Sequence, residues 1–332
     1  MIKTLDCKNS NYLSRLKLIL EKRRFRSKIN TDIVIKIVKD IKKNKKKALL
    51  KYERKFSKNN KIKPSKEEIN KSIKALNPKI KKAIDFAYSR ILKFHSLQKI
   101  KNIKYTDKLN NKIEYRYIPI QSVGIYVPSN LPSTLLMNAI LAKKIAGVKR
   151  VVLANPRLNG KLNPAVMYAA KKCGISETIS VGGSQAIASL AYIQKVNKIV
   201  GPGNDYVARA KKEVFGDVGI DGIAGPSEIT VVADKNTNLK EVLTSLIGQA
   251  EHDTNSQCIL IVNNQDFIKS LKKVLMKELN KIPRKNIAKK SLLRNGLILK
   301  VYNNTQIIDS INEIAPEHLE LNLKNYKKLV NK

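Results

Sequence analysis

Lys198-Ile199-Val200-Gly201-Pro202-Gly203-Asn204 is a short apolar run closed by a tight glycine turn, and a helix is expected directly after it over residues 206–215. Strand, turn and helix in that order form the repeating unit of a parallel sheet covered by helices. Toward the N-terminus, strands are expected over 178–181, 150–154 and 123–127. Helices over 185–191, 163–173 and 133–145 alternate with them, the last following Pro132. Asn163 caps the middle helix, with Pro164 in its first turn, where a missing amide hydrogen costs little. Toward the C-terminus, strands over 228–233 and 258–262 bracket a helix over 239–252, and a short strand is expected over 319–321. This alternation predicts an α/β protein whose ligands gather outside the carboxyl ends of its strands.

Three glycine turns are assigned to strand ends: Gly182-Gly183-Ser184-Gln185, Gly201-Pro202-Gly203-Asn204 and Gly225-Pro226-Ser227-Glu228. None is the GxGxxG dinucleotide fingerprint or a phosphate loop ending in Gly-Lys-Ser/Thr. Each alone reads as a tight turn, and the three in succession suit a nucleotide-sized cleft.

Residues 1–100 read as helical. Thr31 is expected to cap a helix whose Ile33, Val34, Ile37, Val38 and Ile41 recur at three- and four-residue steps. A second stripe carries Ile84, Tyr88, Ile91 and His95, which makes His95 a partly buried core histidine rather than a ligand.

The chain has 332 residues and a formal net charge of +40, carried mainly by lysine spread over nearly every helix. Aromatic residues make up only 5% and tryptophan is absent, so the arginine–aromatic interleaving of nucleic-acid readers is missing. The excess charge therefore reads as solvated surface, with no specific nucleic-acid partner. No apolar run is long enough to span a membrane, and the N-terminus lacks the apolar core of a signal peptide. Cys7, Cys173 and Cys258 form neither a disulfide framework nor a zinc-ribbon spacing, and a reducing cytoplasm is expected.

Two of the three histidines sit beside carboxylates. Gln249 and His252 are three apart on an expected helix, so an amide oxygen and an imidazole share one face. They suit two positions around a divalent metal, with zinc the best match to nitrogen and oxygen donors. Equally, they suit an ordinary helix end, and two donors are not a complete site. Glu317-His318 follows Pro316, which holds the pair at a defined corner. There an imidazole can take a proton from an alcohol while a carboxylate activates water, or the pair is simply a surface turn before a strand.

Taken in order, seven stretches resemble the histidinol dehydrogenase family, which catalyses the last two steps of histidine biosynthesis. They are Val123-Gly124-Ile125-Tyr126-Val127-Pro128, Leu136-Met137-Asn138-Ala139-Ile140, Gly182-Gly183-Ser184-Gln185-Ala186-Ile187-Ala188, Gly201-Pro202-Gly203-Asn204, Ala224-Gly225-Pro226-Ser227-Glu228, Gln249-Ala250-Glu251-His252 and Ala315-Pro316-Glu317-His318-Leu319. The resemblance runs from about residue 30 to the end. It implies a zinc- and NAD-dependent oxidation of L-histidinol through histidinal to L-histidine. Tyr126, Gln185 and Asn204 would contact NAD, and Ser227 the substrate. Gln249 and His252 would be two of four zinc ligands in a site that also holds histidinol's amino and imidazole nitrogens. His318 would accept protons in both oxidations and touch the substrate, while Glu317 activates the attacking water.

Members of the family continue past the position of Lys332, through a segment that supplies an Asp and a His to zinc, and form intertwined homodimers. The chain thus resembles a C-terminally incomplete member. Loops after Pro128, around Tyr192-Ile193-Gln194-Lys195 and before Ala224 look shortened, the first two beside the expected NAD cleft. The expectation is two Rossmann-like parallel-sheet domains with helices on both faces and an N-terminal helical segment. Residues 1–117 would be the helical part of the first domain and 118–227 the NAD-contacting domain. Residues 228–332 would be the rest of the first domain, with the metal and catalytic residues. A degenerate non-catalytic homologue and a basic nucleic-acid-binding protein are the competing readings.

Overall fold

The computed structural model describes residues 2–24, 31–128, 131–223 and 227–330. Its strands are β1 (Lys3–Asp6), β2 (Ile103–Thr106), β3 (Lys112–Tyr115), β4 (Ser122–Tyr126), β5 (Arg150–Ala154), β6 (Glu177–Ile179), β7 (Lys198–Val200), β8 (Gly219–Ile220), β9 (Glu228–Ala233), β10 (Gln257–Val262), β11 (Leu297–Lys300) and β12 (His318–Asn322). The helices are α1 (Tyr12–Arg24), α2 (Thr31–Ser57), α3 (Lys66–Lys74), α4 (Pro78–His95), α5 (Pro132–Ala139), α6 (Pro164–Lys172), α7 (Gly183–Tyr192), α8 (Asp205–Val214), α9 (Leu239–Ala250), α10 (Gln265–Leu279), α11 (Lys285–Asn295), α12 (Asn304–Ile314) and α13 (Lys327–Val330). Asparagine starts many of them: Asn163, Asn204, Asn238, Asn264 and Asn303 each accept a hydrogen bond from a first-turn amide.

The chain divides into two compact units. A continuous unit comprises Lys28–Ile223, and a split unit joins Met1–Ser27 to Ala224–Lys332. Each holds a five-stranded, all-parallel sheet flanked by helices, as the strand–turn–helix alternation predicts.

In the continuous unit the strand order is β6-β5-β4-β7-β8, so the chain reverses its winding direction between β4 and β7. A crevice at the carboxyl ends of such neighbours is where doubly wound sheets bind ligands. Val123, Ile125 and Val127 face a core shared with α4, α5 and α6, and Tyr126 faces the core shared with α2, α7 and α8. Burying Ile125 completely contributes about 2 kcal/mol. Val34, Ile37, Val38 and Ile41 of the α2 stripe are buried as expected, although Ile33 is exposed. His95 is buried, its Nδ1 2.6 Å from Gln98 Oε1, the core role that its spacing predicts.

In the split unit the order is β1-β11-β10-β9-β12. Residues of alternating parity pack against α9, α10 and α11 on one face and against α1 and α12 on the other.

Several expectations are corrected. The first hundred residues are not all helical: Lys3–Asp6 forms β1, parallel to β11. Thr31 is the first residue of α2 rather than its cap. The compact grouping breaks near 27 and 223 rather than at 117, because α2 packs on α7 and α8 while only β1 and α1 join the C-terminal sheet. The helix expected over 133–145 changes to a π-helical turn from Ile140. The antiparallel β2–β3 hairpin was not anticipated, since all of its side chains are exposed and no burial pattern betrays it.

Candidate active site

Two of the three glycine turns converge beside Tyr126 in the continuous unit. The Tyr126 hydroxyl accepts a hydrogen bond from the Gly183 amide at 3.2 Å. Ser184 Oγ donates to the Tyr206 carbonyl at 3.1 Å, which brings the first turns of α7 and α8 together. Gly201 lies against the Tyr126 backbone, and a Cβ there would stand 2.1 Å from its carbonyl oxygen. Asn204 is exposed and caps α8 through a bond from the Val207 amide at 3.2 Å. Tyr126, Gln185 and Asn204, far apart in sequence, thus collect at the carboxyl ends of β4, β6 and β7. Adjacent helix N-termini give this region the amide donors and positive potential that suit a dinucleotide.

Tyr126 and Gln185 are buried, 4% and 5% exposed. Burial pushes the Tyr126 phenol above its ordinary range, so the hydroxyl keeps its proton. Gln185 Nε2 donates to Glu53 Oε1 at 2.9 Å. Glu53, on α2, was not singled out from the sequence, because Lys51-Tyr52-Glu53-Arg54-Lys55 reads as a solvated charge run. The available signal was its position four residues after Leu49, on the buried stripe. Lys211 was likewise hidden among many lysines. It is 5% exposed, and its Nζ donates to the Gly201 carbonyl at 2.5 Å and to Asp221 Oδ1 at 2.6 Å. Asp221 Oδ2 in turn accepts from the Gly201 amide at 2.8 Å, so one ion pair grips both polar groups of that glycine.

The remaining residues lie in the split unit, at the amino edge of its sheet. The third glycine turn therefore precedes a strand rather than closing one, which corrects its assignment to a strand carboxyl end. Ser227 immediately precedes β9, and its carbonyl accepts from the Gln257 amide at 3.0 Å. Gly225 and Pro226 of the third glycine turn lie outside the described residues. His318 begins β12, in register with Ile229, and Glu317 is one residue before it. The Glu317 carboxylate accepts from the Glu228 amide at 3.3 Å and lies 3.9 Å from His318 Nε2. Both side chains are exposed, which leaves them open to a ligand.

The corner is set by its backbone. Ala315 ends α12 in the left-handed region at φ 46°, a conformation that costs a non-glycine residue about 1 kcal/mol, and Pro316 follows with a fixed φ. Such strain concentrates at functional positions.

Helix α9 stops at Ala250, so His252 lies in the turn beyond it instead of on the helix; its amide still bonds the Gln249 carbonyl at 3.2 Å. The helix packs on the face that carries Ile229 and Cys258, the face to which the β12 register assigns His318. Gln249, His252 and His318 therefore share one side of the amino edge. Gln249 Nε2 is buried without a hydrogen-bond partner. A half-turn of that amide presents Oε1 at the same place, so the position fits an electrophile such as a cation. Among the described residues no three or more His, Cys, Asp and Glu side chains are grouped to hold a metal.

A further row crosses the edge on the other face. Arg23 Nη1 donates to Gln257 Oε1 at 3.1 Å, and Gln257 Nε2 to Glu228 Oε1 at 2.7 Å. All three cysteines are buried, and burial chiefly pushes Cys7 and Cys173 up to about 11 and Cys258 to about 12. None supplies a thiolate near neutral pH.

A family model described as histidinol dehydrogenase matches residues 20–332. The histidinol dehydrogenase of Pelagibacter ubique is 57% identical across the whole chain, which covers 79% of that relative. Histidinol dehydrogenase 1 of Trichormus variabilis is 44% identical over 74% of the chain and 58% of its own length. The crystal structure of histidinol dehydrogenase from Elizabethkingia anophelis superposes with a TM-score of 0.91 at 33% identity, over 99% of this chain and 78% of that one. Neither competing reading, the degenerate homologue or the nucleic-acid binder, gains support from these likenesses. Among the described residues no helix is long and apolar enough to cross a membrane.

Proposed function

Because the chain belongs to the histidinol dehydrogenase family, we propose that it acts as an NAD-dependent oxidoreductase converting L-histidinol through histidinal to L-histidine in the cytoplasm. The observation that carries this reading is the meeting of Ser227, Gln249, His252, Glu317 and His318 at one edge of one sheet. In the proposed sequence His318 takes the hydroxyl proton as the carbinol carbon loses a hydride. Once His318 has passed that proton to solvent, Glu317 deprotonates the water that adds to the aldehyde, and His318 accepts the hydrate's hydroxyl proton as the second hydride leaves. NAD, when bound, accepts each hydride, and it is assigned to Tyr126, Gln185 and Asn204. Gln249 and His252 would be two ligands of a zinc ion, which would anchor the substrate through its nitrogens. Glu317 keeps its carboxylate pointed by accepting the Glu228 amide.

The test is NADH formation from histidinol by the purified full chain. Activity is expected to vanish with a chelator and to return with zinc, and Gln249→Ala and His252→Ala are each expected to weaken zinc binding at least tenfold by competition with a chromogenic chelator. Activity indifferent to metal would overturn the assignment of zinc.

A homodimer is proposed as well. Ile103, Tyr105, Ile113 and Tyr115 of the hairpin stand exposed on a two-stranded ribbon that is marginal in water by itself, which favours cover by a second copy. Sedimentation is expected to give a dimer that Tyr105→Glu with Tyr115→Glu converts to monomer; a dimer untouched by both substitutions rules this surface out.

A further inference from the structure

Glu53 is 1% exposed, and every neighbour that the structure gives its carboxylate is a donor. Oε1 accepts from Gln185 Nε2 at 2.9 Å and from the Gly182 amide at 3.3 Å, and Oε2 accepts from Asn59 Nδ2 at 3.4 Å. Asn59 cannot reverse its amide, because Nδ2 also donates to the Ser180 carbonyl at 2.7 Å and Oδ1 accepts the Lys61 amide at 2.9 Å. The site is therefore built for an acceptor on both oxygens, which an ionised carboxylate supplies and a carboxamide does not.

This fixes the direction of Gln185. With Nε2 held against Glu53, the amide turns its oxygen away from that carboxylate, and Oε1 is the acceptor that Gln185 presents to a ligand. Tyr126 is fixed in the opposite sense: its oxygen already accepts the Gly183 amide, so its hydroxyl hydrogen is free to donate. Burial raises the Glu53 carboxyl above its usual range while hydrogen bonds from Gln185, Gly182, Asn59 and Ser57 pull it back.

We propose that Glu53 is a positioning residue for the dinucleotide, orienting Gln185 to accept from a ligand hydroxyl or amide N–H while Tyr126 donates to a ligand oxygen. The inference rests on the assignment of NAD to this turn. Oε1 thus suits a sugar hydroxyl or the carboxamide N–H of the ligand, and phosphate oxygens, which only accept, suit Tyr126 and the amides of the α7 and α8 first turns.

The test is calorimetric titration of NAD into the full chain, with thermal unfolding recorded in parallel. Glu53→Gln puts an NH2 group against donors and frees the Gln185 amide to turn, and it is expected to weaken NAD binding at least tenfold. The KM for histidinol should hold within a factor of two. In a Gln185→Met background the same substitution should cause less than a threefold further loss, since no amide remains to orient. Glu53→Asp keeps the charge but withdraws it, and an intermediate loss is expected; that variant decides the matter if Glu53→Gln does not fold.

Unchanged NAD affinity in Glu53→Gln, or in Glu53→Asp should it have to decide, overturns the proposal. So does a full tenfold loss in the Gln185→Met background, which a purely structural role predicts. If the unsubstituted chain does not bind NAD, the cofactor assignment fails, and this inference falls with it.

Discussion

His318→Asn is expected to leave the chain folded and to lower histidinol turnover by about a thousandfold, within the range that a positioned general base supplies. The imidazole makes no contribution to the sheet. His318 pairs with Ile229 through the backbone alone, and its side chain is 61% exposed. Asparagine keeps a polar side chain of similar reach but cannot take a proton at neutral pH. Circular dichroism should be unaltered, while NADH formation nearly stops. Undiminished turnover would remove His318 from the mechanism. Glu317→Gln should behave differently, because the carboxamide still accepts the Glu228 amide yet cannot activate water. The alcohol step should survive and the reaction stall at the aldehyde, giving half the NADH per histidinol consumed.

The largest expected loss of stability follows Gly201→Ala. Gly201 has φ +114°, where a side chain is strained at a cost of about 1–3 kcal/mol, and its new Cβ would press on the Tyr126 backbone. Relief by moving the turn is blocked, since Lys211 and Asp221 hold the Gly201 carbonyl and amide. Overpacking adds about 1–3 kcal/mol, so a total near 4 kcal/mol is expected, with the melting temperature falling by roughly 10 °C. Gly216→Ala is the control: its φ is similar at +102°, but no atom lies within 4 Å of the added carbon. It should cost only the backbone strain. Equal losses at the two glycines would show that crowding against Tyr126 is not what keeps residue 201 a glycine.

The parallel cores were legible because their strands are buried on both faces and read as continuous apolar runs between turn signals, as in Val123–Val127 and Cys258–Val262. β1 was not, since Lys3–Asp6 holds one buried side chain, Leu5, and four residues are too few to show a period. The hairpin was illegible for the opposite reason: nothing in it is buried. The histidine–carboxylate corners stand out in a chain with three histidines, whereas the third glycine turn is misplaced by analogy with nucleotide-binding folds. Chain order already contained the answer. Ser227, His252 and Glu317 each precede the strand they belong to, which in a parallel sheet puts all three at the amino edge. Glu53 and Lys211 escaped notice because a charged residue in a highly charged chain carries no local mark of burial; only the tertiary contacts set them apart.

Asp6 of the first strand and Lys300 of its neighbour are joined across 294 residues of sequence. Every strand of the continuous unit, by contrast, is closed within Lys28–Ile223. During synthesis residues 2–24 leave the ribosome before the continuous unit and pair only with a strand made after it. Residues 2–24 must wait, with Leu5, Leu16 and Leu20 uncovered, while a whole α/β unit emerges and folds behind them. The nascent chain thus exposes an apolar strand and helix for as long as translation of the intervening stretch takes.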